Sequence, residues 1–396
     1  MNCEDTEVLS RYTLGFLVMA CFFVTACDRI GTGNDDDAVS PAAAAAESTS
    51  TGFTDVEAKV SAFVEGRNLN GAGLAVVDAD AGVVYEAYWG EFGPDRISFF
   101  ASSSKQLVAG IMFALQEDGL LDLNAPLSDI VGDDWGDLGE QGQMSVAQMI
   151  SNSSGLVGLS PNPAYPPYLC QLSIDNELEA CGATIASTSD DEARVVPPDT
   201  QFRYGGGQWQ VAGAVAEYVS GQSWDELLDS VYREPCGLTE SFGFNNHWAT
   251  LGAESLVYPV NFDGDLNLLA PTENPHIEAG GYSTVPDYIE LLLLHLRGGQ
   301  CPNGSVLTQA SLDEFHSDRV GEVWGGNAGS ANTGYGYGWW HDRTTGRVSA
   351  GGAYGSVPWL DLDNGYGAYL VVEQNSSTGQ ALKGQIQDLI HEIMTT

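Results

Sequence analysis

Two residues able to make and break acyl bonds stand three positions apart in the run Ser102-Ser103-Ser104-Lys105. A serine hydroxyl is a weak nucleophile until a neighbouring base takes its proton. On a helix, positions i and i+3 share a face, so Lys105 lies beside Ser102. The chain holds three lysines, Lys59, Lys105 and Lys383. Lys105 heads an apolar stretch containing Leu107, Val108, Ile111, Met112, Phe113 and Leu115. Burying an ammonium there is costly, and burial pushes a lysine toward the range in which it can accept a proton. A helix N-terminus also supplies backbone N–H groups and a positive dipole end where an oxyanion forms. The plainer alternative makes Ser102 an N-cap and Lys105 a solvated first-turn residue. Ser-x-x-Lys alone does not decide between the two.

The elements around this pair can be read from periodicity. A helix opens at Thr54-Asp55, with Val56, Val60, Phe63 and Val64 on one face. Strands over 72–78 and 82–88 follow, joined by a turn around Ala79–Gly82. The nucleophile helix runs from Ser102 to Asp118 and is apolar nearly all round, which predicts burial. Shorter helices are expected over 145–151, 207–220, 223–233, 284–297 and 308–316, with Thr284 and Asp287 as a cap pair. Strands follow at about 335–341, 346–350, 357–362 and 367–373, then a helix over 379–394. The expected fold is α+β, an α/β sandwich. An antiparallel sheet from both chain ends is flanked by N- and C-terminal helices and carries a largely helical insert. The sheet part spans 53–101 and 334–394, the insert 102–333.

Ahead of residue 53 the chain reads as an address. Residues 1–26 form a signal peptide with an apolar core at 13–26, ending Val24-Thr25-Ala26-Cys27. That ending resembles a bacterial lipobox, which implies cleavage before Cys27 and lipid on it. Residues 27–52, acidic and rich in Ala and Ser, read as a flexible tether. Cysteine usage agrees with export. Beyond Cys3, Cys21 and Cys27 there remain Cys170, Cys181, Cys236 and Cys301, without zinc-site spacing. Of three possible pairings, Cys170–Cys181, closing a short loop, with Cys236–Cys301 is favoured. The alternative is four buried thiols. The expected location is the bacterial cell envelope, with membrane attachment through the N-terminal lipid only.

Composition excludes further classes. Across 396 residues, 14 Lys+Arg face 54 Asp+Glu, a formal net charge of −40. No basic stripe can be assembled to meet phosphates, so nucleic-acid binding is excluded. There is no Gly-x-Ser-x-Gly elbow and no His-Glu-x-x-His, so neither an α/β-hydrolase nor a zincin is indicated. No metal or organic cofactor is expected, and the six histidines read as surface or satisfied core residues.

Residues 98–125, from Ser98-Phe99-Phe100-Ala101 through the Ser102–Lys105 run to Asp122-Leu123-Asn124, resemble the nucleophile segment of the serine β-lactamase/penicillin-binding-protein-like family. The branch with class C β-lactamases, D-aminopeptidases and family VIII carboxylesterases is the most similar. The resemblance continues through Ser153-Ser154-Gly155-Leu156, with Asn152 at a position the family gives to His. It then takes in Phe202-Arg203-Tyr204-Gly205-Gly206, Ala279-Gly280-Gly281-Tyr282-Ser283-Thr284, and Tyr335-Gly336-Tyr337-Gly338-Trp339-Trp340. It implies Ser102 as acylated nucleophile, Lys105 as its base and Tyr204 as second acid/base group. Backbone N–H groups of Ser102 and Ala353 would form the oxyanion hole. Asn152, Gly206, Gly351, Gly352 and Tyr354 would line the substrate site.

Two departures bear on substrate. Gly206 stands where the family's Tyr-Ser-Asn has Asn, and Ala350-Gly351-Gly352 lacks the cationic residue of Lys-Thr-Gly. Without that cation, a neutral or hydrophobic ester fits better than a carboxylate-bearing β-lactam. The expected activity is carboxylester hydrolysis on a small-molecule ester or amide, by a monomer. The alternatives are a β-lactamase or D-Ala-D-Ala carboxypeptidase/D-aminopeptidase, and an inactive envelope binding lipoprotein.

Overall fold

In the computed structural model, residues 52–160, 165–188, 195–251, 262 and 264–396 are described. The proposed leader, Cys27 and nearly all of the tether lie outside them.

Seven strands form one sheet, in the order 82–90, 71–78, 366–371, 356–361, 348–349, 340–342, 333–335. The first two come from the start of the chain and the other five from its end. Neighbouring strands pair antiparallel, with Leu74 opposite Leu370 and Val76 opposite Ala368. Side chains alternate across a strand, so the sheet feeds two cores. Leu74, Val76, Ala368 and Leu370 meet Val56, Val60 and Phe63 of helix Thr54–Gly66 and Leu382, Ile386 and Ile390 of helix Ser376–Met394. Ala75, Val77, Tyr369 and Val371 face the opposite side, where Tyr288 and Leu292 of helix Val285–Leu296 lie.

The helix Lys105–Glu117 runs through that second core. Its Leu107, Val108, Ile111, Met112 and Phe113 are at most 1% exposed. The expected single helix from Ser102 is divided, however. Ala101–Ser104 form a 3₁₀ turn, and α geometry begins at Lys105. A small three-stranded sheet, 98–99, 281–283 and 243–244, was not expected and sits beside this turn. The Thr284 cap is half of what the spacing suggested. Thr284 accepts from the Asp287 N–H, but the Asp287 carboxylate accepts from Thr239 instead of reaching back. The disulfides are Cys170–Cys181 and Cys236–Cys301.

Candidate active site

The three serines differ by where their hydroxyls go. Ser103 Oγ donates to the Ala350 carbonyl and accepts from Ser356 Oγ at 3.0 Å. Ser104 Oγ donates to Ala101 O at 2.6 Å and accepts from Gly281 N at 3.0 Å. Both are fully buried and hold the turn against its two neighbouring strands. Ser102 is half-buried, and its Oγ lies 3.1 Å from Lys105 Nζ. Just before it, Ala101 has φ +45°, a left-handed conformation that costs an alanine of order 1–2 kcal/mol. The bond from Ser104 Oγ to the Ala101 carbonyl and that from the Phe100 N–H to the Gly281 carbonyl (3.1 Å) hold that geometry.

Lys105 is buried, as the apolar helix implied, and it is not solvated. Besides Ser102 it donates to the Glu278 carbonyl at 3.0 Å and pairs with Glu278 Oε2 at 3.1 Å. The ammonium also lies 4.8 Å from the Tyr204 ring centroid and 5.7 Å from that of Trp209, within cation–π range. Glu278 is the residue the sequence analysis missed. Burial pushes its carboxyl up, but Lys105, His276 and the Gly206 N–H outweigh that and hold it down at about 2. Two signals pointed to it: a buried lysine demands a counter-ion, and this acid directly precedes Ala279-Gly280-Gly281. Losing one partner of such a pair costs about 3–5 kcal/mol.

Tyr204 is brought to Lys105 by a turn built from the 152–159 segment. Arg203 N donates to Asn152 O at 2.8 Å and Leu159 N to Tyr204 O at 2.9 Å. The half-buried ring packs on Trp340 at 5.1 Å and edge-on to Tyr335 at 6.1 Å. Asn152, expected to line the substrate site, is part of this scaffold. It is fully buried, and Oδ1 accepts from Gly205 N, Gln208 Nε2 and Trp209 Nε1 at 2.8–3.1 Å. Below it, Arg319 binds Asp199 at 2.6 Å and Ser151 and Ser153 at 3.1 and 2.9 Å. Gly206 likewise supports the site, its N–H donating to Glu278 Oε2 at 3.0 Å. The missing Asn side chain has a local reason: a Cβ at Gly206 would lie 2.6 Å from the Val157 carbonyl, and one at Gly205 2.6 Å from Glu278 Oε2.

The 350–356 segment lies against the nucleophile turn. A Cβ on Gly352 would sit 2.0 Å from Phe100 O, so only glycine permits this approach. Gly351 is half-buried, and Ala353 is exposed in the turn closed by Gly355 N donating to Gly352 O at 3.1 Å. Tyr354, expected to line the substrate site, is 4% exposed and buried among Phe99, His247 and Trp248. Ala350 is 2% exposed, with its carbonyl engaged by Ser103. The histidines include a correction as well. His276 and His247 are buried with no hydrogen-bond partner at their ring nitrogens among the described residues, and His276 Nε2 is 3.7 Å from Glu278 Oε1.

A half-exposed serine, a buried lysine on its oxygen and a tyrosine over that lysine form one constellation. Its setting is shared: the Beta-lactamase family model matches residues 56–391. The chain belongs to that family. It is 25% identical over 350 residues to penicillin-binding protein 4 of Amycolatopsis lactamdurans, covering 82% of this chain and 84% of that one. A penicillin-binding protein homologue from Caulobacter crescentus superimposes with a TM-score of 0.67 at 17% identity, over 87% of this chain and 98% of the other. EstCE1, described as a hydrolase with promiscuous acyltransferase activity, gives 0.66 at 18% identity, over 85% and 97%. The fold is thus the β-lactamase/penicillin-binding-protein-like α+β fold, in a serine hydrolase superfamily.

Proposed function

We propose that this Beta-lactamase family member is a carboxylesterase-type hydrolase acting on neutral or hydrophobic esters through an acyl-enzyme on Ser102. The observation that carries this reading is the 3.1 Å contact between Lys105 Nζ and a half-buried Ser102 Oγ, in a chain whose neighbouring serines are committed elsewhere. Ser102 Oγ attacks the ester carbonyl and Lys105 takes the hydroxyl proton. The N–H groups of Ser102 and Ala353 hold the oxyanion. Tyr204 delivers a proton to the leaving alkoxide and later activates water on the acyl-enzyme.

Substrate class follows from residue 350. An apolar, buried alanine there offers nothing to a substrate carboxylate, and the net charge of −40 disfavours anions in general. Export and anchoring through a lipidated Cys27 belong to the same proposal.

A direct comparison of p-nitrophenyl butyrate with nitrocefin tests the substrate class. The ester should win by at least about tenfold in kcat/KM, a difference of about 1.4 kcal/mol in transition-state binding. Preference for nitrocefin would instead favour a β-lactamase or D-Ala peptidase, the reading that likeness to a penicillin-binding protein supports.

A further inference from the structure

Lys105 donates hydrogen bonds to Ser102 Oγ at 3.1 Å and Glu278 O at 3.0 Å, and its ammonium forms an ion pair with Glu278 Oε2 at 3.1 Å. While it is protonated and paired with that carboxylate, the lysine has no lone pair with which to take the proton of Ser102. One proton must first leave. Of the three oxygens around Nζ, the serine oxygen and the amide carbonyl are not proton stores, whereas the carboxylate is a group that can take a proton.

We propose that Glu278 is the proton store behind Lys105, a positioning residue through which the lysine becomes a base. As Ser102 Oγ forms its bond to the ester carbonyl carbon, Lys105 passes one proton to Glu278 Oε2 and takes the hydroxyl proton in its place. The carbonyl π pair moves onto the oxygen. On collapse the C–O bond to the alcohol breaks, and the leaving alkoxide receives a proton from Lys105 by way of Tyr204. Glu278 then returns its proton to Lys105. Both groups regain their starting charges, and the net change is ester plus Ser102 hydroxyl to acyl-serine plus alcohol.

The carboxylate is built for this place. It is 4% exposed, and Oε2 takes the Gly206 N–H at 3.0 Å as well as the lysine. The two glycines after Tyr204 leave the space it fills. The other groups facing the pair are Ser102 and Tyr204, His276 on the loop of Glu278 with His247 behind it, and Tyr335. In the resting site Lys105 and the Gly206 N–H favour the ionised carboxylate. The neutral Lys105–Glu278 pair is therefore a transient coupled to attack by Ser102.

The proposal rests on the serine-nucleophile reading, so the test uses a probe that needs only an activated serine. Reaction rates with a fluorophosphonate are measured against pH for wild type, Glu278→Gln and Glu278→Asp, with thermal melts to verify folding. Wild type should show no acid limb while Glu278 is ionised. Glu278→Gln should be slowed at least about tenfold at neutral pH and should regain about tenfold per pH unit as solvent strips Lys105 of its proton, up to a plateau. Glu278→Asp keeps a carboxylate, and should react more slowly with the flat wild-type profile. A uniform loss at every pH in Glu278→Gln would leave only a structural pair and overturn the relay. Rates in that variant that recover toward acid would mean a lysine acting charged, which overturns it too. If the Gln variant does not fold, an acid limb in Glu278→Asp overturns it. Wild-type protein that takes no label overturns both the relay and the hydrolase reading, whereas a labelled wild type with a uniformly slowed variant overturns the relay alone.

Discussion

Ser102, Ser103 and Ser104 are chemically identical and functionally separable, because Ser103 spends its hydroxyl on the Ala350 carbonyl and Ser104 on the Ala101 carbonyl of its own turn. Tyr204 can be separated in the same way by subtracting one atom. Its ring carries contacts with Lys105, Trp340 and Tyr335, all of which Tyr204→Phe retains. If the hydroxyl moves protons, ester turnover should fall by about 10²–10⁴-fold while the melting temperature shifts by only a few degrees. Thermal melts and ester hydrolysis on the same preparation decide this. A variant that melts early yet turns over at the normal rate while folded would return Tyr204 to the core. Ser102 and Lys105 were legible in the sequence because their spacing and the apolar helix behind them are local signals. Glu278 was not, since it meets Lys105 across 173 residues of chain. Asn152 and Tyr354 were assigned to the substrate site by resemblance, and the side chains of both are buried, which the sequence did not show.

Elements with a strong period were readable. The strands 71–78, 356–361 and 366–371 feed two cores, and the helices Val285–Leu296 and Ser376–Met394 lie within three residues of the expected ends, whereas the strand expected at 335–341 is two short ones, 333–335 and 340–342. Elements without a period were not. The strands 98–99 and 243–244 have two residues each, too few to show alternation, yet 98–99 fixes the approach to the nucleophile turn. The helix Leu178–Ala186 was missed because its buried face uses small residues. Gly182 lies so near Ala214 that an added Cβ would stand 2.2 Å from that of the alanine. The break between Ala101–Ser104 and Lys105 was missed as well. Nothing in the side chains of a serine run separates a 3₁₀ turn from the first turn of an α-helix, and the bonds to Gly281 and Ala350 that select it come from distant chain.

For the molecule as a whole, a charge of −40 invites the expectation that acid relieves self-repulsion and stabilises the fold. The histidines oppose this in a defined window. His247 is fully buried, and burial together with His276 pushes it down to about 3, while His316 and His341 are pushed by burial to about 4. In the unfolded chain these groups take protons near 6.5. Depressed folded values mean that stability is fully present above 6.5 and is lost as pH falls toward the folded values, at up to about 1.4 kcal/mol per pH unit for each histidine. Urea unfolding from neutrality down to about pH 5, before most carboxylates protonate, should therefore show declining stability. Constant or rising stability over that interval would mean these rings are reached by solvent.

The central claim is that Ser102 carries the acyl group. Treatment with a fluorophosphonate, followed by intact-mass measurement and peptide mapping, tests it directly. One adduct per chain is expected, located on Ser102, with none on Ser102→Ala, which should also lose ester hydrolysis while melting as wild type does. An adduct on another residue, or ester turnover by Ser102→Ala at the wild-type rate, would contradict the account.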